Sequence, residues 1–437
     1  MVQLASRRAT YLGVMNEVDP VTSDCPAFEP GVQAVAEAIA ELRRGRMVVV
    51  VDGEGGEDEG VLMLPAESAT AQSVAFMVRY TSGLLCAAMT DQRADALGLP
   101  LMVAHGNNPR GTALTVSVDV KAGVTTGISA KDRAATIQAL GASTTRREDL
   151  NRPGHVLASR ACPGGVLSRA GRTESAVDLC VLAGFGGVGV LAQVVNSDGS
   201  AARSEQLKQF ASAHSLTAVT IADIVRYRRR TEQLVRQVAH ARIPTDCGEF
   251  TAITFRDAVD GSDHVAFVYG DMTGREFTSA SKPPLVGIHT ECVAGDVFGS
   301  RGCDCHQRLT ASMSRVAEAK HGAVLYLRGR RGDRVGLSHQ MPPRLHCGDD
   351  PHFIGRATRA PHVDGHGCDI AAQMLKNLGA TTVAVTNGDA ALLARLTRAG
   401  IEVLSDASVA PLTPWAHVCR QPAERLRHKR ALVLEVS

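Results

Sequence analysis

Three cysteines lie close together in the segment CVAGDVFGSRGCDC, where Cys292, Cys303 and Cys305 follow a C-x10-C-x-C spacing. Thiolate sulfur is a preferred zinc ligand, and three protein ligands leave the fourth tetrahedral position open for water, as in catalytic zinc sites. The alternative is that these are buried thiols that only pack as small apolar groups. Because the three thiols fall within fourteen positions and flank a glycine-rich loop, the spacing favours zinc.

A second cluster consists of carboxylates in the glycine-rich loop that follows the apolar run MVVVV. The loop carries Asp52, Glu54, Glu57, Asp58 and Glu59. Carboxylate oxygens suit magnesium, and α/β folds place ligands at the carboxyl ends of strands. A solvated acidic turn is the other interpretation, and the residue types alone do not separate the two.

A third segment, TALTVSVDVKAGVTTGISAKDRA, joins a predicted strand to a predicted helix through Thr125, Thr126 and Gly127. Hydroxyl groups and free backbone amides at a helix start can hold a phosphate. A lone loop of this kind is not specific, so it adds only a possible anion contact.

The elements that position these segments alternate between strand and helix. VQAVAEAIAELRRG has helical periodicity and stops at Gly45, after which MVVVVD is typical of a buried strand. Thr70 and Ser129 have the residue types that begin helices. In the second half FTAITF and HVAFVYG predict strands, and the alternation resumes after them. The pattern predicts an α/β protein with α+β mixed sheets.

A length of 437 residues predicts more than one domain. We expect a flexible arm at 1–30, a first domain at 31–228, a linker helix at 229–245, a second domain at 246–418 and a tail at 419–437. Five positions, Arg226 to Arg230, include four arginines. A solvated connecting helix is the favoured interpretation of this stretch, and a phosphate-binding patch is the alternative.

Composition narrows the class of protein. Apolar residues make up 44% and charged residues 21%, and 47 basic against 45 acidic side chains give a formal charge of +2. Such a balance provides no field for binding nucleic acid or an anionic membrane. No apolar run is long enough for a bilayer, and the first twenty residues carry charges where a signal peptide needs apolar ones. We therefore expect a cytoplasmic protein whose eleven cysteines form no disulfide framework.

Longer motifs resemble two known enzyme families. YTSGLLC, TVSVDVKAGVTTGISAKDRAATI, RPGHV, GGVLSRAGRTESAVDL and AQVVNSDGSAAR are similar to 3,4-dihydroxy-2-butanone 4-phosphate synthase, across about residues 31–228. HTECVAGDVFGSRGCDC, LYLRGRRG and the TN of VAVTNGD are similar to GTP cyclohydrolase II, from 246 to 418. The order resembles that of the bifunctional riboflavin-biosynthesis family. The resemblance implies a synthase-like domain joined to a cyclohydrolase-II-like domain and, by analogy, a homodimer.

For the first half, the resemblance implies conversion of ribulose 5-phosphate into dihydroxybutanone phosphate and formate with magnesium or manganese. The family holds its metal with a glutamate, matched by Glu57, and with the histidine of a GHTE motif. Arg172 stands at the position of that histidine. Because a guanidinium has no free lone pair and stays positive, it cannot ligate a cation. We expect Arg172 to form an ion pair with Glu57 in the space that the metal would fill.

Three further positions of this half depart from the family pattern. Gly56 replaces an arginine, Val61 an aspartate and Gln193 a glutamate, and glutamine cannot take a proton as a base. The retained positions keep a polar, phosphate-sized pocket. By resemblance, the catalytic residues of this half are Cys86 and His155, and the substrate contacts are Glu59, Asp119, Thr125, Arg152, Arg169, Arg172 and Thr173.

For the second half, the resemblance implies that a zinc-activated water opens the imidazole ring of GTP, releasing formate and pyrophosphate. The three cysteines match the family's zinc ligands. Asp364 is retained, while His366 replaces an arginine expected to act on the α-phosphate. By resemblance these two are the catalytic residues of this half.

Other positions that should bind GTP are also altered. Arg331 stands where a glutamate is expected, and Ala391 replaces a lysine. Pro342 and Pro343 interrupt a helix that bears a tyrosine in the family, with Arg344 as the nearest counterpart of that tyrosine. These changes predict loss of ordinary GTP turnover.

Three hypotheses for function follow. The chain is a working bifunctional riboflavin enzyme, a repurposed enzyme for another phosphorylated or purine-like substrate, or a non-catalytic homologue that binds a ligand or a paralogous enzyme. The substitutions at both sites disfavour the first, because loss of one catalytic group commonly costs orders of magnitude in rate. The sequence does not separate the other two.

Overall fold

The computed structural model describes residues 30–53, 58–103, 112–270, 282–300, 303–328, 363, 365–386, 388 and 390–404. The described chain forms two compact units, one ending at Arg236 but including Arg256–Ser262, the other made of Gln237–Phe255 and the residues from Asp263 onward. Each unit has one sheet of mixed direction, which confirms the predicted fold class. None of the described helices is long and apolar enough to cross a membrane. The predicted tail and the predicted arm, except for its last residue, lie outside the described residues.

The first unit alternates helices with strands. Its helices are α1 (Pro30–Arg43), α2 (Ala71–Tyr80), α3 (Asp91–Ala96), α4 (Ala130–Gly141), α5 (Arg172–Leu182), α6 (Ser204–Ala213) and α7 (Ile221–Thr231). Its strands are β1 (Val48–Val51), β2 (Gly60–Pro65), β3 (Cys86–Thr90), β4 (Ala113–Leu114), β5 (Val118–Val120), β6 (Leu150–Ala161), β7 (Val188–Gln193) and β8 (Thr217–Thr220). The predicted helix starts are confirmed, since the Thr70 and Ser129 hydroxyls accept backbone amides at 3.1 and 3.0 Å.

The sheet of this unit runs in the order β4-β6-β3-β7-β2-β1-β8, with β5 paired to β6. Strands β1 and β8 are parallel, whereas β2 pairs antiparallel with both β1 and β7. Both faces of the sheet are covered: Val48 and Val50 belong to one core with Ile39, while Val49 belongs to another with Met77. Burial on both faces explains why β1 is an uninterrupted apolar run.

The second unit has a seven-stranded sheet in the order β15-β14-β12-β13-β11-β10-β9. Its strands are β9 (Val235–Thr245), β10 (Gly248–Asp257), β11 (Asp263–Tyr269), β12 (Leu285–Thr290), β13 (Gly322–Leu327), β14 (Thr382–Val385) and β15 (Glu402–Leu404). Its helices are α8 (Val293–Asp296), α9 (Cys305–Ala319), α10 (Gly365–Asn377) and α11 (Ala390–Arg398). Helix α9 packs against β12 and β13, and Phe250, Val316 and Val324 form a core between helix and sheet.

The predicted linker helix at 229–245 is wrong. Helix α7 ends at Thr231, and residues 235–245 form β9, the edge strand beside β10. Local helix-forming residues are overridden here because pairing with β10 satisfies the backbone of β9 and leaves its side chains exposed. From Gln237 this strand belongs to the second unit, so that unit begins before the predicted boundary at 246.

Candidate functional site

The carboxyl end of β1 and the neighbouring strands gather the first group of polar side chains. Strands β2 and β7 pair with Val61 opposite Gln193, and the amide of Asp52 donates to the carbonyl of Glu59 at 2.8 Å. Helix α5, which begins at Arg172, packs on the same strands. The sheet register therefore brings the side chains of Asp52, Glu59 and Gln193 around Arg172, the first residue of α5.

Arg172 is held by hydrogen bonds from two of its guanidinium nitrogens, and the third lies near a carboxylate. Its Nη2 donates to Oε2 of Glu59 at 2.8 Å, and its Nη1 donates to Oε1 of Gln193 at 2.5 Å. Its Nε lies 3.3 Å from Oδ2 of Asp52. The side chains of Arg172 and Glu59 are only 20% and 13% exposed, so the pair is largely withdrawn from water and strengthened accordingly.

The predicted partner Glu57 and the substituted Gly56 lie outside the described residues. The carboxylates observed at Arg172 are those of Asp52 and Glu59. Val61 is buried in the apolar core beneath β2, so the position of the family's aspartate is occupied by a core side chain. The guanidinium thus contacts two carboxylates of the acidic loop, and its predicted pair with Glu57 stays a prediction.

His155 and Asp119 form a second, separate pair. Nδ1 of His155 lies 2.7 Å from Oδ2 of Asp119, and the backbone amide of His155 donates to Oδ1 at 2.9 Å. Gly127 covers the pair with φ +91°, and a Cβ there would lie 2.2 Å from Asp119 Oδ2. The imidazole is oriented by a carboxylate and is 40% exposed, an arrangement that suits proton transfer.

The hydroxyl of Thr125 is already used within the protein. It donates to Oδ2 of Asp132 at 2.7 Å, and the amide of Gly127 donates to the same oxygen at 3.2 Å. The Thr125 hydrogen bond is the main cause of the lowered pKa of Asp132. Thr125 therefore fixes the loop before α4, and its hydroxyl could contact a substrate without breaking this bond only as an acceptor.

Cys86 lies on β3, and two long hydrogen bonds link its side chain to two others. Its thiol lies 3.4 Å from Oγ of Ser159, which lies 3.4 Å from Oγ1 of Thr173. Burial raises the pKa of Cys86 to about 11, so the group is a neutral thiol at physiological pH. A thiol without its thiolate form is a poor nucleophile.

Two of the predicted substrate-binding arginines brace the fold. Arg152 donates to the carbonyls of Leu97 at 2.5 Å and Arg147 at 3.2 Å. Arg169 donates to Oε1 of the fully buried Glu174 at 2.6 Å. Glu174 is a residue that sequence reasoning missed, although its place in the first turn of α5 beside Arg172 was a usable signal.

The three cysteines converge in the second unit. Cys292 follows β12, Cys303 comes from the loop and Cys305 is the first residue of α9. Their sulfur atoms all lie within 4.8 Å of one another, and those of Cys292 and Cys303 are 3.8 Å apart. Gly295 backs the cluster, because a Cβ on it would lie 2.7 Å from the sulfur of Cys303.

This arrangement fits a tetrahedral cation. Two sulfurs that each lie about 2.3 Å from one tetrahedral zinc would be about 3.8 Å apart, which matches the separation of Cys292 and Cys303. Burial raises the pKa of both Cys292 and Cys305, so a bound cation would have to displace their protons. The glycine at 295 leaves room for the sulfurs of Cys303 and Cys292 and for the Cβ of Cys305, against which a Cβ at this position would lie within 3.4 Å.

A buried carboxylate beside the thiols was also missed from the sequence. Asp296 accepts a hydrogen bond from the amide of Cys292 at 2.8 Å and from the hydroxyl of Tyr326 at 2.9 Å. Nε2 of His289 lies 3.0 Å from both of its carboxylate oxygens. Burial alone would raise the pKa of Asp296, but these donors hold it below its ordinary value. The usable signal was its position four residues after Cys292.

The other predicted residues of this half are only partly described. His366 is buried in the first turn of α10, and Ala391 is exposed in the first turn of α11. The remaining positions lie outside the described residues: Arg331, Pro342, Pro343, Arg344 and Asp364. The catalytic pair of Asp364 and His366 therefore stays a prediction.

Two family models match successive parts of the chain. Residues 36–227 match 3,4-dihydroxy-2-butanone 4-phosphate synthase, and residues 236–408 match GTP cyclohydrolase II. The two matched stretches nearly coincide with the two compact units.

Curated relatives and a solved structure extend the likeness over both halves. The riboflavin biosynthesis protein RibBA of Salinispora tropica is 45% identical over 84% of this chain and 91% of its own length. The chloroplastic bifunctional riboflavin biosynthesis protein RIBA 1 of Arabidopsis thaliana is 41% identical over 90% of this chain and 71% of its own. The crystal structure of RibBX, a two-domain 3,4-dihydroxy-2-butanone 4-phosphate synthase from A. baumannii, is similar with a TM-score of 0.64 and 27% identity, covering 85% of this chain and 99% of that one.

Proposed function

The chain belongs to the family of bifunctional riboflavin-biosynthesis proteins, with a dihydroxybutanone-phosphate-synthase domain before a GTP-cyclohydrolase-II domain, and from this premise we propose that its activities have diverged. The synthase half no longer performs the metal-dependent rearrangement. The cyclohydrolase half holds zinc and acts on a phosphorylated or purine-like substrate other than GTP.

The ion pair between Arg172 and Glu59 carries the proposal for the synthase half. By family resemblance, the residue at 172 should be a neutral metal ligand, and here it is a fixed cation bound to two carboxylates of the acidic loop. A divalent ion about 4 Å from that guanidinium would be repelled by roughly 8 kcal/mol at an effective dielectric constant of about 20. The guanidinium also offsets one of the two negative charges of Asp52 and Glu59 that would attract the ion.

Gln193 removes a second requirement of the rearrangement. Its Oε1 accepts from Arg172 at 2.5 Å, and Nε2 has no hydrogen-bond partner within the described part of the chain. A carboxamide cannot shuttle a proton as a carboxylate does. The imidazole of His155 is still oriented by Asp119, so we expect this half to keep that group while lacking the carboxylate at position 193.

The thiol cluster supports a zinc-dependent activity in the other half. Cys292, Cys303 and Cys305 would hold the ion, leaving one position for a water molecule, and zinc when bound supplies Lewis-acid activation of that water. The spacing of the sulfurs and the space left by Gly295 are intact. This observation favours a retained hydrolytic role over a purely non-catalytic homologue. The substitutions Arg331 and Ala391 argue that the substrate is not ordinary GTP.

A rescue experiment tests the proposal. The chain is expressed in two riboflavin auxotrophs, one lacking the synthase and one lacking the cyclohydrolase, with an authentic bifunctional relative as the control. We expect neither strain to grow without riboflavin. In vitro, ribulose 5-phosphate should give no formate with magnesium or manganese, and Arg172→His alone should not restore it. Synthase turnover at roughly one per second or faster would refute the proposal for this half.

We also propose a homodimer and a cytoplasmic location. The dimer is what the family resemblance implies, and the exposed apolar side chains of the first unit, which include Leu84, Met102, Val103 and Ile128, are ones that a partner subunit could cover. Light scattering on the purified full chain should give twice the chain mass of 46.1 kDa. A monomer at micromolar concentration would contradict the dimer.

A further inference from the structure

Beside the thiol cluster lies a buried group of three hydrogen-bonded side chains, none of which is a predicted metal ligand. It consists of Asp296, His289 and Tyr326, which we call the Asp296 triad. His289 and Asp296 have side chains only 6% and 4% exposed. The rings of His289 and Tyr326 stack with centroids 5.5 Å apart. A buried polar side chain lowers the stability of the fold unless it has a hydrogen-bond partner, and these three side chains serve as partners for one another.

We propose that Asp296 is a positioning residue for the metal site, acting through the backbone of Cys292; this inference rests on the proposed zinc site. Its carboxylate accepts the amide of Cys292 at 2.8 Å. The amide of Asp296 in turn donates to the carbonyl of Cys292. These two bonds close a ring that fixes the backbone on both sides of the Cys292 side chain.

The ring also determines where the other thiols meet Cys292. Helix α8 spans only Val293–Asp296, so the bonds of Asp296 define the whole turn that contains Gly295. Gly295 in turn lies against the sulfur of Cys303 and the Cβ of Cys305. A shift of the turn would therefore move one sulfur relative to two others, and a tetrahedral site tolerates little such movement.

His289 and Tyr326 hold the carboxylate itself in place. They come from the ends of β12 and β13, which are parallel neighbours with His289 paired to Tyr326. Two donors from the sheet and one from the turn converge on one carboxylate. The sheet thereby sets the position of the metal-binding turn through Asp296, and ligand orientation by such outer partners commonly changes metal affinity by about 10–100-fold.

The test measures metal binding by the full-length protein, not turnover. Zinc affinity is determined by competition with a chromophoric chelator, and the cobalt-loaded protein is followed by its sulfur-to-cobalt charge-transfer and d–d absorption bands. We expect Asp296→Ala to weaken zinc binding about 10–100-fold and to shift the cobalt bands. Asp296→Asn keeps an oxygen for the Cys292 amide, so it should fall between Asp296→Ala and the unchanged protein.

Two further variants keep the result interpretable. Tyr326→Phe keeps the ring and removes one donor, so it should weaken zinc binding less than Asp296→Ala while leaving the fold intact by circular dichroism. Asp257→Ala is the matched control, because Asp257 is equally buried and accepts a backbone amide from Val259 in the other unit. It should lower the melting temperature without changing the zinc affinity or the cobalt spectrum.

The outcomes separate this inference from the zinc site on which it rests. If the unchanged protein binds no zinc, the proposed metal site is refuted and the positioning role with it. If the unchanged protein binds zinc and Asp296→Ala binds it equally well with the same cobalt spectrum, only the positioning role is refuted. An equal loss of affinity in Asp257→Ala would also overturn it, because the effect would then be general destabilisation.

Discussion

Nη2 of Arg172 lies 2.8 Å from Oε2 of Glu59, at the place where the sheet register brings the acidic loop to the first turn of α5. The guanidinium of Arg172 thus pairs with carboxylates that could otherwise attract a divalent ion. The bond lies largely out of water, where opposite charges attract strongly and an unpaired charge is costly. The side chain that we propose prevents metal ligation also stabilises this arrangement of the loop and helix.

Removing this guanidinium should restore attraction for a cation. In Arg172→Ala, Asp52 and Glu59 lose their shared positive partner, so the free energy of unfolding should fall by about 1–2 kcal/mol. Magnesium should then raise the melting temperature of the variant but not of the unchanged protein, measured at constant ionic strength. Arg160→Ala is the control, since it removes an ion pair with Asp95 away from the acidic loop. A magnesium-dependent shift in the unchanged protein would show that a cation binds despite Arg172.

Zinc content should follow the cysteines of the cluster. Elemental analysis of protein purified without chelator should give about one zinc per chain. Cys303→Ser should lose most of it, because only two thiolates remain. Cys247→Ser alters another free cysteine of the same unit, whose sulfur lies 3.3 Å from Oγ of Ser314, and should keep the metal. Unchanged zinc in Cys303→Ser would mean that the cluster is only a set of packed thiols.

GTP should be neither a substrate nor a stabilising ligand. The expectation follows from Arg331, His366 and Ala391, which replace the groups that the family uses for guanine and phosphates. Incubation should release no formate above background, and GTP should leave the melting temperature unchanged, since binding to the native state would raise it. A shift without formate would indicate a nucleotide sensor. A shift with formate would contradict the prediction.

The thiol of Cys86 should react slowly below strongly alkaline pH. With its pKa raised to about 11 by burial, only about one thiol in a thousand is ionised at pH 8, and the rate of alkylation should rise about tenfold per pH unit. A raised pKa in the folded state means that stability is complete below the unfolded pKa of about 8.5 and is lost as pH rises toward 11. Peptide mass spectrometry after timed alkylation of the native protein measures the rate. Rapid modification of Cys86 at pH 7 would contradict a thiol that stays neutral.

Much of this protein is determined by its sequence alone. The helix starts at Thr70 and Ser129, the buried strand β1 and the grouping of three cysteines all follow from local periodicity, capping chemistry and short spacing, and the order of the two domains follows from the family resemblance. These features depend on residues near one another in the chain, where residue type and spacing carry the information. The arginine at position 172, where the family resemblance implies a histidine, is equally a property of the sequence.

The tertiary structure determined which side chains and which strands contact one another. Sequence reasoning paired Arg172 with Glu57, which lies outside the described residues, so that pair stays a prediction. It did not identify Asp52 and Glu59 as partners, because the pairing of β2 with β7 and the packing of α5 bring these carboxylates to the guanidinium. Residues 235–245 form a strand because they pair with β10 at the edge of the sheet. The Asp296 triad joins residues up to 37 positions apart through two parallel strands. Such contacts depend on sheet register, which is set by the whole core and cannot be read from any single segment.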